Sequence, residues 1–298
     1  MSETSTRLGE GDLLARASRS QLLDVVECSP RAVAVHDKQA WLGLFAEGGV
    51  VEDPVGTPTC RKGAFTLRSP RGDDDLGCFY DTFIAPNRVR FAIERDLVVG
   101  SDVMRDAVLH IDMASGLHVE VPAHLLYQLT EEAGEIRVAR MAAHWEAGPL
   151  RASILAAGLA GYRNFVTSGL RMLRTQGLRY ALDYQRGTGE GMGEMGHAAL
   201  QIFADTLNTG KGEAVAALFA TPDSPIGFPA GQSIPARSLI ERVGEKAELE
   251  VSKLRSSGWT CSCSFELRRD GREQAGVALF DFDPQSRRVV AAHFYFEE

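Results

Sequence analysis

Apolar side chains recur along this chain with two periods, and the change from one to the other divides it into elements. Leu76, Phe79, Tyr80 and Phe83 stand at i, i+3, i+4 and i+7, one face of a helix. Strand-like alternation follows over 88–99, 102–113, 117–130 and 135–145, with Gly100-Ser101, Ser115-Gly116 and Ala133-Gly134 as turns. Upstream, Leu22, Leu23, Val25 and Val26 predict a helix that stops near Cys28, where Ser29-Pro30 reads as a cap followed by proline at the first helical position. Asp37 reads as a second cap. The run from Val50 to Gly56 is a strand that breaks at Asp53-Pro54 and turns at Gly56. Helices first and an antiparallel meander after them is an α+β order.

The pattern then recurs. A short helix ending Leu44-Phe45-Ala46 opens one unit and Ala142-Ala143-His144-Trp145 closes it; Leu218-Phe219-Ala220 and Ala291-Ala292-His293-Phe294 do the same later. Two matches in the same order predict a duplicated domain, over residues 1–147 and 195–298. The segment between them, 148–194, interleaves Ile154, Leu155, Leu159, Tyr162 and Phe165 with Arg151, Arg163, Arg171, Arg174 and Arg179. It reads as a helical connector packed on the domains, or alternatively as a basic amphipathic helix that touches a membrane through 151–180. Gly187 to Gly196 reads as a flexible joint; its GxGxxG spelling has no strand before it, so a dinucleotide site is not expected.

Composition narrows the functional classes. A chain of 298 residues, 44% hydrophobic and 24% charged, suits about two globular domains. Its formal charge of −8 is the wrong field for a nucleic-acid backbone. The cysteines Cys28, Cys60, Cys78, Cys261 and Cys263 show no CxxC spacing, so neither a zinc site nor a disulfide framework is expected. Met1 to Gly11 lacks the basic-then-apolar order of a signal peptide, and no apolar run is long enough to span a bilayer, which together predict a cytoplasmic protein.

Asp53 is the most informative acid. In an extended strand it shares a face with Val51, so it either stands on the wall of an apolar cavity, where its pKa would rise and suit it to moving protons, or caps the turn that follows. The triplet Asp73-Asp74-Asp75 reads as a solvated tip and helix N-terminus rather than a metal site. A hairpin turning at Ser115-Gly116 would set His110 opposite Val121 and Asp112 opposite Val119, with His118 and Glu120 on the other face. That division predicts no metal centre. It leaves His110 either as a second acid or donor beside Asp53, or as a histidine satisfied by its neighbours.

The stretch Leu44-Phe-Ala-Glu-Gly-Gly-Val-Val-Glu-Asp-Pro-Val-Gly56, the helix with Phe79-Tyr80 and the last strand Met141-Ala-Ala-His-Trp145 together resemble the ketosteroid isomerases, within the larger set of SnoaL-like and nuclear transport factor 2-like domains. The resemblance covers about Ser20 to Glu146. It implies two cone-shaped, cystatin-like α+β domains, each with helices packed on a curved antiparallel sheet. It also implies Asp53 as the general base of a cofactor-independent enzyme acting on a small hydrophobic carbonyl compound, with Phe45, Tyr80, Phe83, Leu125, Met141, Ala143 and Trp145 lining the pocket. The activity would be of isomerase, dehydratase or cyclase type; the alternative is a non-catalytic small-molecule binder or interaction module of the same fold. Family members commonly dimerise through the outer sheet face, which implies pairing of the two repeats within the chain or a homodimer. Two departures stand out: the family's oxyanion tyrosine falls at Ser29, and its protonated aspartic acid falls near Leu125. In the second repeat Phe228-Pro229-Ala230-Gly231 replaces the Asp-Pro-Val-Gly turn, so that copy is expected to pack rather than catalyse.

Overall fold

A computed structural model describes residues 12–67 and 72–297; the N-terminal stretch weighed for a signal peptide lies outside them. The first unit runs α1 (Asp12–Arg16), α2 (Arg19–Ala34), α3 (Lys38–Gly43), β1 (Phe45–Glu52), β2 (Cys60–Arg61), α4 (Asp75–Phe79), then the long strands β3 (Arg88–Val99), β4 (Asp102–Asp112), β5 (His118–Glu132) and β6 (Glu135–His144). Three helices follow: α5 (Ala147–Ala156), α6 (Leu159–Thr175) and α7 (Gly177–Gly187). The second unit is α8 (Glu194–Leu207), α9 (Gly212–Ala216), β7 (Pro225–Gly227), β8 (Ser233–Pro235), α10 (Leu239–Val243) and β9 (Glu248–Ser257), β10 (Thr260–Arg269), β11 (Arg272–Phe282) and β12 (Val289–Tyr295). The two six-stranded sheets have the same order, β2-β1-β6-β5-β4-β3 and β8-β7-β12-β11-β10-β9. The chain is thus a tandem pair of α+β units. Each sheet is mixed rather than antiparallel throughout, because β1 lies parallel to β6 and β7 parallel to β12.

Local chemistry explains where the elements begin. Ser18 caps α2 reciprocally: its hydroxyl accepts from the Gln21 amide, and the Gln21 side chain accepts from the Ser18 amide at 2.8 Å. The break expected near Cys28 does not occur, and α2 continues through Pro30. Proline removes one ladder bond, but Leu22, Val26, Ser29 and Val33 form one buried stripe that holds the helix against the sheet. Asp37 caps α3 by accepting from Ala40 N at 2.9 Å. That helix ends at Gly43, so Phe45 and Ala46 open β1 instead of closing a helix. Asp74 caps α4, while Asp75 is buried and accepts from the amides of Thr66 and Leu67 at 2.8 Å, so only part of the acidic triplet is a solvated tip.

The two sheets pack face to face. Leu97, Met104, Leu126 and Ala142 of the first meet Val277, Leu279 and Tyr295 of the second in a buried apolar layer. Polar groups cross it: the His124 ring is 2.8 Å from the Ser262 hydroxyl, Lys253 Nζ is 2.5 Å from an Asp106 oxygen, and Ser257 donates to the Val55 carbonyl at 2.9 Å.

The glycine-rich segment after α7 is not a loose joint. A Cβ on Gly187 would stand 2.2 Å from the Gly56 carbonyl oxygen, and one on Gly191 would stand 2.0 Å from that of Gly258. A Cβ on Gly56 or Gly258 would stand 2.8 Å from the other's Cα, and Met192 N donates to Gly258 O at 3.0 Å. Three stretches of backbone cross here, and only glycine leaves room for them.

Candidate functional site

The first unit encloses a cavity of about 190 Å³ between its sheet and its helices. Cavity-facing residues of β4, β5 and β6 alternate with residues that face the second unit, as the period of a strand requires. Leu109 and Ile111 come from β4, Val121, Leu125 and Tyr127 from β5, and Met141 and Ala143 from β6. Leu125 pairs with Ala143, and Tyr127 with Met141. The helical side supplies Ser29, Trp41, Phe79 and Phe83, and the connector closes the cavity with Leu150 and Tyr184. The turn after α4 is π-helical over Tyr80–Ile84, which sets Phe83 and Ile84 toward the cavity.

Asp53 stands on this wall, just past the end of β1. Its Oδ1 accepts from Trp145 Nε1 at 2.5 Å. Burial among apolar groups pushes the carboxyl up to about 6, against the pull of the Trp145 hydrogen bond. A carboxylate with that pKa is mostly ionised near neutrality and is still basic enough to take a proton from carbon.

The polar surface of the cavity is sparse. The Tyr127 hydroxyl is fully buried with no hydrogen-bond partner, and the nearby Ser29 hydroxyl pulls its pKa down. Ser29 is engaged by Trp41, whose Nε1 donates to it at 3.2 Å. Behind Tyr127 lies Arg105, which is 1% exposed and grips Asp96 with two hydrogen bonds of 2.7 and 3.0 Å. Burial raises the Tyr127 pKa, and the Arg105 charge acts in the opposite direction.

Of the seven residues expected to line the pocket, Phe83, Leu125, Met141, Ala143 and Trp145 do so. Phe45 and Tyr80 do not. They stack behind Trp41, with ring centroids 4.9 and 5.6 Å from it, so the tryptophan takes the wall position and they form the core beneath it. Tyr127 and Tyr184 were not singled out from the sequence. Tyr127 was within reach of strand alternation alone, since it lies two residues beyond Leu125 on the same face.

His110 is not part of the site. The loop between β4 and β5 is closed by Met113 N donating to Leu117 O, with Gly116 at φ +87°, which sets His110 opposite Glu120 and Asp112 opposite His118. This is one residue away from the expected register, and the slip turns His110 outward while Leu109 and Ile111 face the cavity. The same slip gathers all four polar groups on one face instead of dividing them. Donor atoms of His110, His118 and Glu120 lie within 4.8 Å of one another, the one group among the described residues with the spacing to hold a metal ion. They already satisfy each other: His110 Nδ1 is 3.3 Å from Glu120, and His118 Nδ1 is 2.8 Å from Asp112.

In the second unit the described residues fill the corresponding space with aromatic rings. Phe228 stands where Asp53 does in the first, and it packs with Phe294 and Phe296 at centroid distances of 5.3 and 4.9 Å. Phe203, Phe265 and Phe280 complete a buried aromatic core.

The strand register makes a direct test possible. Ala143 faces the cavity, whereas Ala142 is fully buried in the layer between the sheets. Ala143→Phe is expected to abolish ligand-induced quenching of tryptophan fluorescence at about 1–3 kcal/mol of overpacking strain. Ala142→Phe is expected to keep ligand binding and to split thermal unfolding into two transitions. The reverse pattern would overturn this register.

No protein-family model and no curated protein matches the chain. Among solved structures, it is similar to the Δ5-3-ketosteroid isomerase from a Mycobacterium species, with 26% identity over 42% of this chain and 93% of that one, TM-score 0.34. It is also similar to a Mycobacterium tuberculosis protein solved in complex with estradiol-17β-hemisuccinate, with 28% identity over 43% and 95%, TM-score 0.34. A SnoaL-like polyketide cyclase fold from Shewanella putrefaciens matches at 15% identity over 41% and 88%, TM-score 0.34. Each of these matches covers a little under half of this chain.

Proposed function

We propose that the first unit catalyses cofactor-independent proton transfer beside the carbonyl of a flat hydrophobic ketone, with Asp53 as general base. The observation that carries this reading is a single carboxyl, raised to about 6, on the wall of an otherwise apolar cavity. With a β,γ-unsaturated ketone, Asp53 takes the proton from the carbon between the carbonyl and the double bond. The electron pair moves onto the carbonyl oxygen as the enolate forms. Asp53 then returns the proton to the far carbon of the former double bond, which leaves a conjugated ketone and restores the carboxylate.

The enolate oxygen needs a donor, and neither family position supplies the usual one. Tyr127 fills this role: its hydroxyl is buried, unpartnered and on the cavity wall, where a carbonyl oxygen would satisfy it. Arg105 behind it favours partial negative charge on the phenolic oxygen as the hydrogen bond shortens.

The test is solvent exchange of the ketone's α-hydrogens, followed by proton NMR with a cyclic β,γ-unsaturated ketone as probe. Wild-type protein is expected to catalyse both exchange and conjugation. Tyr127→Phe is expected to lower kcat by about 10²–10³, the usual cost of one oxyanion donor, with little change in KM. Probe binding without exchange in the wild type would overturn the catalytic reading and leave a binder.

A further inference from the structure

The connector turns its apolar face outward. In α6, the side that meets the first unit consists of Gly161, Asn164, Ser168 and Met172, whereas Leu159, Tyr162, Val166, Leu170 and Leu173 point to solvent, Leu159 at 84% exposure. Adjacent α7 adds Leu178 and Leu182, at 64% and 60% exposure. An amphipathic helix of a globular protein ordinarily buries such a stripe, so a continuous exposed one marks a surface that meets something apolar.

Charge identifies the partner. Between Ala147 and Gly189 the chain carries six arginines, no lysine and one acid, Asp183, although the whole protein has a formal charge of −8. Arg163 and Arg174 flank the exposed stripe of α6, and on α7 Arg179 and Arg186, with side chains 97% and 70% exposed, make only long ion pairs of 3.8–3.9 Å with Asp183 and Glu190. A two-fold pairing of this face with itself would bring these arginines together in an apolar contact, which like-charge repulsion opposes. An anionic lipid surface meets both requirements: acyl chains for the leucines, headgroup phosphates for the arginines. No described helix is long and apolar enough to cross a membrane, so the contact is interfacial.

We propose that α6 and α7 dock the protein on the surface of an anionic bilayer. One of these helices also lines the cavity, through Tyr184 of α7 beside Leu150 of the preceding α5. Docking through α7 would bring this closed side of the cavity nearest the bilayer, so that a shift of the connector would admit a hydrophobic ligand from the membrane. This last step rests on the functional reading above; the docking itself does not.

The full chain is incubated with extruded vesicles of phosphatidylcholine alone or mixed with phosphatidylglycerol, and the bound fraction is read by sedimentation, with no turnover measured. Partitioning onto the anionic vesicles is expected to exceed that onto neutral ones by about tenfold or more and to fall as salt rises. Leu170→Asp, at a position 48% exposed, is expected to abolish it while the fold stays intact by circular dichroism. Arg163→Glu with Arg174→Glu is expected to remove the preference for phosphatidylglycerol. Absence of binding to either vesicle overturns the proposal, as does equal binding to both that survives these substitutions. Self-association that Leu170→Asp disrupts, without vesicle binding, would make the face an interface between copies and also overturn it. Vesicle binding with no ketone turnover would sink the catalytic reading alone.

Discussion

Asp53→Asn is expected to lower the rate of ketone proton transfer by about 10²–10⁴, the range a positioned general base contributes, and at the same time to stabilise the fold. The second effect follows from the cavity. The folded protein holds the Asp53 carboxyl at about 6 against 3.8 for the ordinary side chain, so between those values the native state binds the proton more tightly than the unfolded chain does. Stability contributed by this group is therefore lost as pH rises from about 3.8 to 6, and above that window the buried carboxylate costs about 3 kcal/mol. Asparagine carries no charge and escapes the cost. Thermal unfolding of wild type and variant is expected to coincide near pH 4 and to separate by several degrees at pH 7.5, with the variant higher. Undiminished turnover would remove Asp53 from the chemistry, and coincident melting at both pH values would place its carboxyl in water.

Acidification is expected to destabilise the joined units, and here the sign is opposite. His124 and His144 are buried between the sheets, at 0% and 2% exposure, and desolvation lowers both to about 3. The unfolded chain takes up protons near 6.5 while the native one does not, so each histidine withdraws about 1.4 kcal/mol of stability per pH unit below 6.5, until about pH 3. The groups facing them are Asp106, Lys253, Arg255 and Arg140, together with Ser262 and Ser264. Two histidines outweigh one aspartate where the windows overlap, and net stability falls with acid. Urea midpoints at pH 7.5 and 5.5 measure it. His144→Leu is expected to flatten half of the slope at little cost at pH 7.5, because neither ring nitrogen of His144 has a hydrogen-bond partner to lose. An unchanged slope would show that His144 is solvated.

Features that depend on short-range chemistry could be read from the residues alone. The four long strands of the first unit, the cap at Asp37 and the placement of Asp53 at a strand end follow from alternation and turn residues. What escaped depends on contacts between distant segments. A proline that would end an isolated helix is tolerated in α2 because the stripe around it is buried. One extra loop residue in the β4–β5 hairpin turned His110 and Asp112 onto the face of His118 and Glu120, which no local preference fixes. Glycines 187 and 191 resembled flexible linker because their crowding comes from Gly56 and Gly258, far away in sequence. Tyr127 differs from the apolar residues on its face only in a hydroxyl, whose isolation depends on the packing of Ser29 and Arg105 around it.

The crossing of backbones at those glycines has a bearing on how the two halves diverged. Gly56 lies three residues beyond Asp53, and it packs so closely on Gly258 of the second unit that a Cβ on either would stand 2.8 Å from the other's Cα. The second unit is in this way a permanent brace for the turn that carries the acid. In an assembly of two identical chains, any substitution appears twice, so a subunit cannot lose its own acid without disarming its partner. Joining the copies in one chain removes that constraint. One half can then fill its interior with phenylalanine and support the other, which holds an opening and a charge. The asymmetry between Asp53 and Phe228 is what covalent linkage permits and exchangeable subunits forbid.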